Sequence, residues 1–213
     1  MKIIKVCGIK SLEDAQVAVL NGATHIGIIC VPNRKRTISS DEAIKISDWI
    51  HLQANNNNVK LVGVFQNQPI KDVKELSVKY NLDIIQLHGE EDWLEYSDSI
   101  KKPLIKRCVF PQDCEKVLTI TRSENSQKIL PLFDSAIGGT GELLDWDEIN
   151  KWAKKQDPNE VSFILAGGLT PENVSSAFKL YGVIGVDVSG GVETDGIKDH
   201  SKIKQFIKNA ILS

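Results

Sequence analysis

An alternation repeated eight times along the chain limits its possible folds more than any other feature. Hydrophobic runs rich in β-branched residues stand at Ile3–Val6, His25–Cys30, Lys60–Phe65, Ile84–His88, Leu104–Phe110, Ile129–Asp134, Ser162–Ala166 and Val183–Ser189, with helix-like segments between them. The runs lack strict period-two alternation, the pattern of strands covered on both faces. Strand–helix alternation implies parallel strands joined by right-handed crossovers. Eight such units predict an α/β architecture, a single (β/α)8 or TIM barrel, and the 213 residues lie near its lower size limit of about 200. The open alternative, a doubly wound sheet, would carry G-x-G-x-x-G after its first strand; this chain has Val6-Cys7-Gly8-Ile9 there.

Local signals agree with the alternation. Ser11-Leu12-Glu13-Asp14 opens a helix with a serine cap and acids in the first turn, and Ser40-Asp41-Glu42 opens another. Pro69 and Pro171 sit where a first helical turn tolerates proline, Thr170-Pro171-Glu172-Asn173 reads as a helix start, and a last helix is expected from about Asp199 to Leu212. The polar tract Asn55–Asn58 reads as a solvated turn on the face of the barrel that serves stability. No linker or composition break divides residues 1–213, so one domain is expected.

Composition narrows the partners. The net charge is −2, with no Lys/Arg run to suggest nucleic acid and no basic amphipathic stretch to suggest a membrane surface. Lys5 interrupts the N-terminal apolar run, so no signal peptide is expected, and no segment approaches the ~18 apolar residues of a membrane span. Cys7, Cys30, Cys108 and Cys114 form no C-x-x-C pair and fit neither a zinc site nor a disulfide framework, a cytoplasmic pattern. Cys30 and Cys108 read as small buried hydrophobes. Asn173-Val174-Ser175 matches a glycosylation sequon, read here as coincidence. With no long apolar stripe, the chain is expected to be a monomer.

In such a barrel the residues after each strand converge on one mouth. Strand 1 ends in Val6-Cys7-Gly8; Cys7 reads as a nucleophile, a general base or an inert buried thiol. Strand 2 runs into Arg34-Lys35-Arg36, able to grip a carboxylate or to form a solvated charge run. Gln86 and His88 share a face at the end of strand 4, where His88 reads as a residue lining the site or as a satisfied rim histidine. Asp134 closes an apolar strand, where an unpaired carboxylate is costly; it reads as a group that donates or takes a proton, the alternative being a helix or loop cap. The turn Gly138-Gly139-Thr140-Gly141 follows it. Strands 7 and 8 lead into Gly167-Gly168 and Asp187-Val188-Ser189-Gly190-Gly191, the usual place for phosphate in these barrels. No metal-ligand cluster, dinucleotide fingerprint or Ser/His/Asp arrangement appears, so neither a metal nor a cofactor is expected. The combination suits proton transfer on a small phosphorylated substrate that carries a second anionic group.

These residues resemble the phosphoribosylanthranilate isomerases of tryptophan biosynthesis. The matching stretches are KVCGI at 5–9, CVPNRKRTI at 30–38, LVGVF at 61–65, IQLHG at 85–89, PLFDS at 131–135, GGTGELLDW at 138–146, LAGGLTPENV at 165–174 and GVDVSGGVET at 185–194. Together they span essentially the whole chain. The second loop looks like the fungal branch: Arg36 stands where other members have the arginine of Ser-Pro-Arg, while Asn33, Arg34 and Lys35 depart from that pattern.

The resemblance implies a cofactor-free Amadori rearrangement of N-(5-phospho-β-D-ribosyl)anthranilate, a small-molecule substrate. It implies Asp134 as general acid, Cys7 as general base in the thiolate form, Arg36 on the anthranilate carboxylate, and the turns at Gly138–Gly141, Gly167–Gly168 and Ser189–Gly191 on the phosphate. To act as an acid near neutrality Asp134 is expected to have a raised pKa, with Asp187 as the neighbouring carboxylate that raises it.

Other readings are weaker. Indole-glycerol-phosphate synthase chemistry needs a catalytic lysine at a strand end, whereas Lys106 sits mid-strand and Lys5 precedes Cys7. The histidine-pathway isomerase would place aspartate at position 7. A phosphosugar binder that had lost its chemistry would have no reason to keep both Cys7 and Asp134.

Overall fold

The computed structural model describes residues 2–52, 58–123, 129–135 and 143–213. The runs of β-branched residues form strands β1 (Ile3–Cys7), β2 (His25–Ile29), β3 (Lys60–Phe65), β4 (Ile84–Leu87), β5 (Leu104–Val109), β6 (Ile129–Asp134), β7 (Phe163–Leu165) and β8 (Val183–Val188). Each pairs in parallel with its sequence neighbour, and β1 pairs with β8 to close the barrel. The strand–helix alternation thus produces the expected eight-stranded barrel.

Helices α1 (Leu12–Leu20), α2 (Ser40–Leu52), α3 (Ile70–Lys79), α4 (Trp93–Ile100), α5 (Cys114–Arg122), α6 (Trp146–Ala153), α7 (Val174–Ala177) and α8 (His200–Leu212) follow the strands in turn. Side chains stop the chain from fraying at their starts. Ser11 accepts from the Asp14 N–H, Asp92 from Leu94 and Glu95, Asp145 from Glu148, and Asp199 from Ser201 and Lys202. The expected start at Thr170 is a turn instead, and α7 has only four residues. Asn173 explains this: its side chain accepts from the Thr170 N–H and donates to the Gly168 carbonyl, so it shapes the preceding loop. None of the helices among the described residues is long and apolar enough to cross a membrane.

Two apolar layers follow from strand alternation. Outward residues such as Ile4, Val6, Ile26, Ile28, Phe133 and Phe163 pack under the helices. Around β6, Phe133 meets Phe163 edge-on at 4.9 Å and Trp152 at 5.5 Å, each buried aromatic contributing roughly 1.5–3 kcal/mol by burial. Inward residues Val62, Ile84, Ile105, Leu132, Ile164 and Ala166 fill the half of the barrel lined by β3–β7.

The other half, β8–β1–β2, is built differently: Gly185 and Gly27 alternate with Lys5 and Asp187. A Cβ on Gly185 would lie 2.4 Å from Ile3, and one on Gly27 would lie 2.7 Å from the Cys7 sulfur. Gly185 thus makes room for Ile3, and Gly27 for Cys7 and the Lys5 side chain inside the barrel. A small hairpin absent from the sequence reading follows β8: β9 (Glu193–Thr194) and β10 (Ile197–Lys198), turned by Asp195 and Gly196, both at positive φ.

Candidate active site

The strand ends surround a cavity of about 900 Å³. Cys7, Arg36, His88, Asp134 and Asp187 all line it, as do Gly167, Gly168, Ser189, Gly190 and Gly191. The turn Gly138–Gly141 lies outside the described residues. Among the described residues no group of three or more His, Cys, Asp or Glu could hold a metal ion.

Asp134 ends β6 as a nearly buried carboxylate. Its Oδ2 is 3.2 Å from His88 Nε2, and its Oδ1 accepts the Ser135 N–H at 2.8 Å. Burial pushes its pKa up, but the bond to His88, the His88 charge, the Ser135 N–H and the Arg107 charge outweigh burial and hold it below the ordinary carboxylate range. The expected raised pKa is therefore corrected. The cause is His88, which bonds directly to the carboxylate.

Asp187 is the carboxyl that is raised, by burial first and by the Asp134 charge, against the pull of Lys5. The two acids do influence each other, but the shift falls on Asp187. Its Oδ2 takes the Lys5 ammonium at 2.7 Å, and its Oδ1 has no hydrogen-bond partner among the described residues. Cys7, at the end of β1, is raised too: burial dominates, Lys5 and Lys198 oppose it, and Asp187 adds to it.

Arg36 lies across the mouth. Gly8, at φ +72, makes this possible, because a Cβ there would stand 2.7 Å from the Arg36 side chain. The guanidinium meets Glu193 two-fold, Nε to Oε1 at 2.7 Å and Nη2 to Oε2 at 2.8 Å. Its Nη1 is not part of that fork. Lys198 donates to the same Glu193 at 2.9 Å and to the Ser189 carbonyl at 2.8 Å. Burial raises Glu193, but these two cations hold it down at about 2. Arg34 and Lys35 also line the cavity; Arg34 binds Gln66 at 3.1 Å.

The glycine loops after β7 and β8 are packed back to back. Gly167 and Gly168 both adopt positive φ, and a Cβ on Gly191 would lie 1.8 Å from the Leu169 carbonyl. Side chains are excluded there, which brings backbone to the cavity wall as an anion cradle requires.

The family model for N-(5'-phosphoribosyl)anthranilate isomerase matches residues 4–209. The chain belongs to this family. It is 53% identical to the N-(5'-phosphoribosyl)anthranilate isomerase of Saccharomyces cerevisiae, over 98% of this chain and 94% of that one. Among solved structures it resembles phosphoribosyl anthranilate isomerase from Thermotoga maritima, with a TM-score of 0.82, 35% identity and full coverage of both chains. It also resembles a phosphoribosyl anthranilate isomerase in complex with reduced 1-(o-carboxyphenylamino)-1-deoxyribulose 5-phosphate, with a TM-score of 0.79, 35% identity and full coverage of both.

Within this phosphoribosylanthranilate isomerase barrel, the sequence reading missed Lys5, Arg107, Glu193 and Lys198 at the site. Lys198 and Glu193 flank Asp195-Gly196, a dipeptide that signals a tight hairpin and would have revealed them. Lys5 stands two residues before Cys7, hence on the same face of β1. Arg107 has the same relation to the end of β5, and its Nη2 donates to the Ser135 carbonyl at 2.6 Å.

Proposed function

We propose that the chain converts N-(5-phospho-β-D-ribosyl)anthranilate into 1-(2-carboxyphenylamino)-1-deoxy-D-ribulose 5-phosphate. This is an Amadori rearrangement of tryptophan biosynthesis, run without a cofactor, in the cytoplasm and by a monomeric single domain. One observation carries the reading: a thiol from β1 and a carboxyl from β6 face one cavity whose rim is formed by the glycine loops of β7 and β8.

The Gly167–Gly168 and Ser189–Gly191 loops hold the phosphate, with Gly138–Gly141 as the third cradle. The Nη1 edge of Arg36 takes the anthranilate carboxylate. Asp134 gives a proton to the ring oxygen, the furanose opens, and the amine nitrogen's lone pair forms the Schiff-base cation. Cys7 as thiolate removes the C2′ proton, and the resulting enolamine tautomerises to the ketone. In the free site Asp134 is held ionised and Cys7 protonated, the reverse of what the reaction needs. Bound substrate supplies the correction at Asp134, since it displaces water and brings anionic groups beside the carboxyl.

The test is an isomerase assay with phosphoribosylanthranilate made in situ, following loss of anthranilate fluorescence. Wild-type protein is expected to convert it, while Cys7→Ala and Asp134→Asn are each expected to lose about 10²–10⁴-fold in kcat. Folded wild-type protein that converts nothing would leave a phosphate-binding barrel without this activity.

A further inference from the structure

We propose that Lys5, anchored by Asp187 on the neighbouring strand, is the positioning residue that stabilises Cys7 as the thiolate that takes the substrate's proton. The proposal deepens the reading of Cys7 as base and rests on it.

Strand geometry places the group. Lys5 and Cys7 are two residues apart on β1 and share its inner face. In the barrel register Lys5 stands opposite Asp187 of β8, and Cys7 stands opposite Gly27 of β2. The absent side chain of Gly27 is what joins them. A Cβ there would be 2.7 Å from the Cys7 sulfur and 3.1 Å from Lys5 Cε. The Cys7 sulfur and Lys5 Cε therefore lie within about 6 Å of each other across Gly27, and the Lys5 ammonium is close enough to hydrogen-bond the sulfur, a separation at which buried charges interact strongly.

Charge distribution singles out Lys5 among the cations near the thiol. Arg36 and Lys198 both face Cys7, but both are bonded to Glu193. Lys5 is fully buried, and its one carboxylate partner, Asp187, keeps Oδ1 without a partner among the described residues. Burial lowers the Lys5 pKa, yet Asp187 and Cys7 outweigh burial and hold it above the ordinary lysine range, so Lys5 is an ammonium. Of the groups opposing the buried thiol's rise, Lys5 contributes most and Lys198 adds to it; Asp187 acts the other way. His25 faces Lys5 from β2 and is held neutral, while His88 and Asp134 face Asp187 from across the mouth.

The proton balance is simple. The Cys7 thiol releases its proton to water in the open mouth, the thiolate is held by Lys5, and the proton from substrate C2′ returns sulfur to the thiol. Its C–H electron pair moves toward the Schiff-base nitrogen.

The experiment measures the pH dependence of Cys7 alkylation by iodoacetamide, read by mass spectrometry on the Cys7 peptide, alongside kcat and KM. The variants are Lys5→Met, Lys5→Arg, Asp187→Asn and the double variant Lys5→Met/Asp187→Asn. Lys5→Met is expected to shift Cys7 titration upward by about one unit or more and to reduce kcat near neutrality about tenfold per unit, with KM little changed. Lys5→Arg, which keeps the cation, restores most of the titration. Asp187→Asn keeps an oxygen to accept from Lys5, and so its anchor, but removes the anion that competes for the ammonium and itself raises Cys7; it shifts the titration downward. The opposite signs matter, because general loosening of the barrel would move both variants the same way. An unmoved Cys7 titration in Lys5→Met overturns the proposal, as does a shared direction. Should Lys5→Met fail to fold, the double variant removes both charges together and still moves Cys7 upward, since Lys5 acts on it more strongly than Asp187; no upward shift there overturns the proposal equally. Cys7→Ala with full turnover would instead overturn Cys7 as base, whatever the alkylation shows.

Discussion

Lys5 and Lys106 are buried on strands of this barrel, each against a carboxylate, and they differ in what else that carboxylate holds. Lys106, on β5, lies 3.4 Å from Glu91 and also donates to the Gly89 carbonyl. Glu91 accepts the Asn67 N–H at 2.6 Å and the Gly89 N–H at 2.9 Å. Both its oxygens are therefore engaged, and the pair ties the β3–α3 loop to the β4–α4 loop beside His88. Lys5 meets Asp187 at 2.7 Å inside the barrel, and one Asp187 oxygen is left without a partner among the described residues. A fully satisfied network builds structure; a pair whose half-satisfied carboxylate lines a cavity keeps bonding capacity for chemistry.

The largest effect that would break this comparison is on stability. Lys106→Met leaves Glu91 as a buried, uncompensated anion and is expected to cost about 3–5 kcal/mol, measured by urea unfolding. It should also loosen the loop that presents His88. A loss below about 1 kcal/mol would show that Lys106 and Glu91 do not act as the structural pair described.

Removing both charges at each pair sharpens the contrast. Lys106→Met/Glu91→Gln still deprives a backbone N–H, of Asn67 or Gly89, of its acceptor, at about 1–3 kcal/mol. Lys5→Met/Asp187→Asn strands no such donor and is expected to stay within about 1 kcal/mol of wild type while losing activity. Equal stability losses in the two double variants would erase the distinction.

His25 reports on the two lysines separately. It lies opposite Lys5 in the β1–β2 register, and burial, then the Lys5 charge, lower its pKa to about 4. A lowered histidine is neutral in the fold, so its share of stability is complete above pH ~6.5 and is lost as pH falls through about 4. Lys5→Met should raise the His25 titration seen by NMR and reduce the loss of stability across that window. Lys106→Met should leave it in place. A His25 titration indifferent to Lys5 would contradict the buried ammonium.

The same comparison explains what was legible in the sequence. Strands were legible because a parallel barrel buries both faces of each, which writes β-branched runs directly into the chain. Cys7, Asp134, Asp187 and the glycine loops were legible because barrel chemistry gathers at strand ends. Lys5 and Lys106 interrupt apolar runs, and a charge in such a run reads locally as a break. Their meaning depends on carboxylates that only folding brings near: Asp187 is 182 residues away. The direction of the Asp134 shift failed for a related reason, since His88, 46 residues before it, supplies the bond that lowers it. The β9–β10 hairpin escaped because two-residue strands carry no periodicity.

An exposed pair supplies the smallest effect and the third point of the comparison. Arg122 meets Glu160 through Nε at 3.0 Å and Nη2 at 2.7 Å, a geometry as regular as either buried pair. Both side chains are exposed, so water screens the attraction and ordering them costs entropy. Arg122→Ala is expected to change stability by about 0–1 kcal/mol, with the difference shrinking as salt rises toward 1 M, where the Debye length is about 3 Å. The Lys106→Met deficit should persist at that salt, because ions do not reach a pair only 1–2% exposed. Geometry alone would rank Arg122–Glu160, two-fold at 2.7 and 3.0 Å, above Lys106–Glu91 at 3.4 Å; desolvation reverses that order, and a Lys106→Met deficit that fades with salt would show that the pair is reached by solvent.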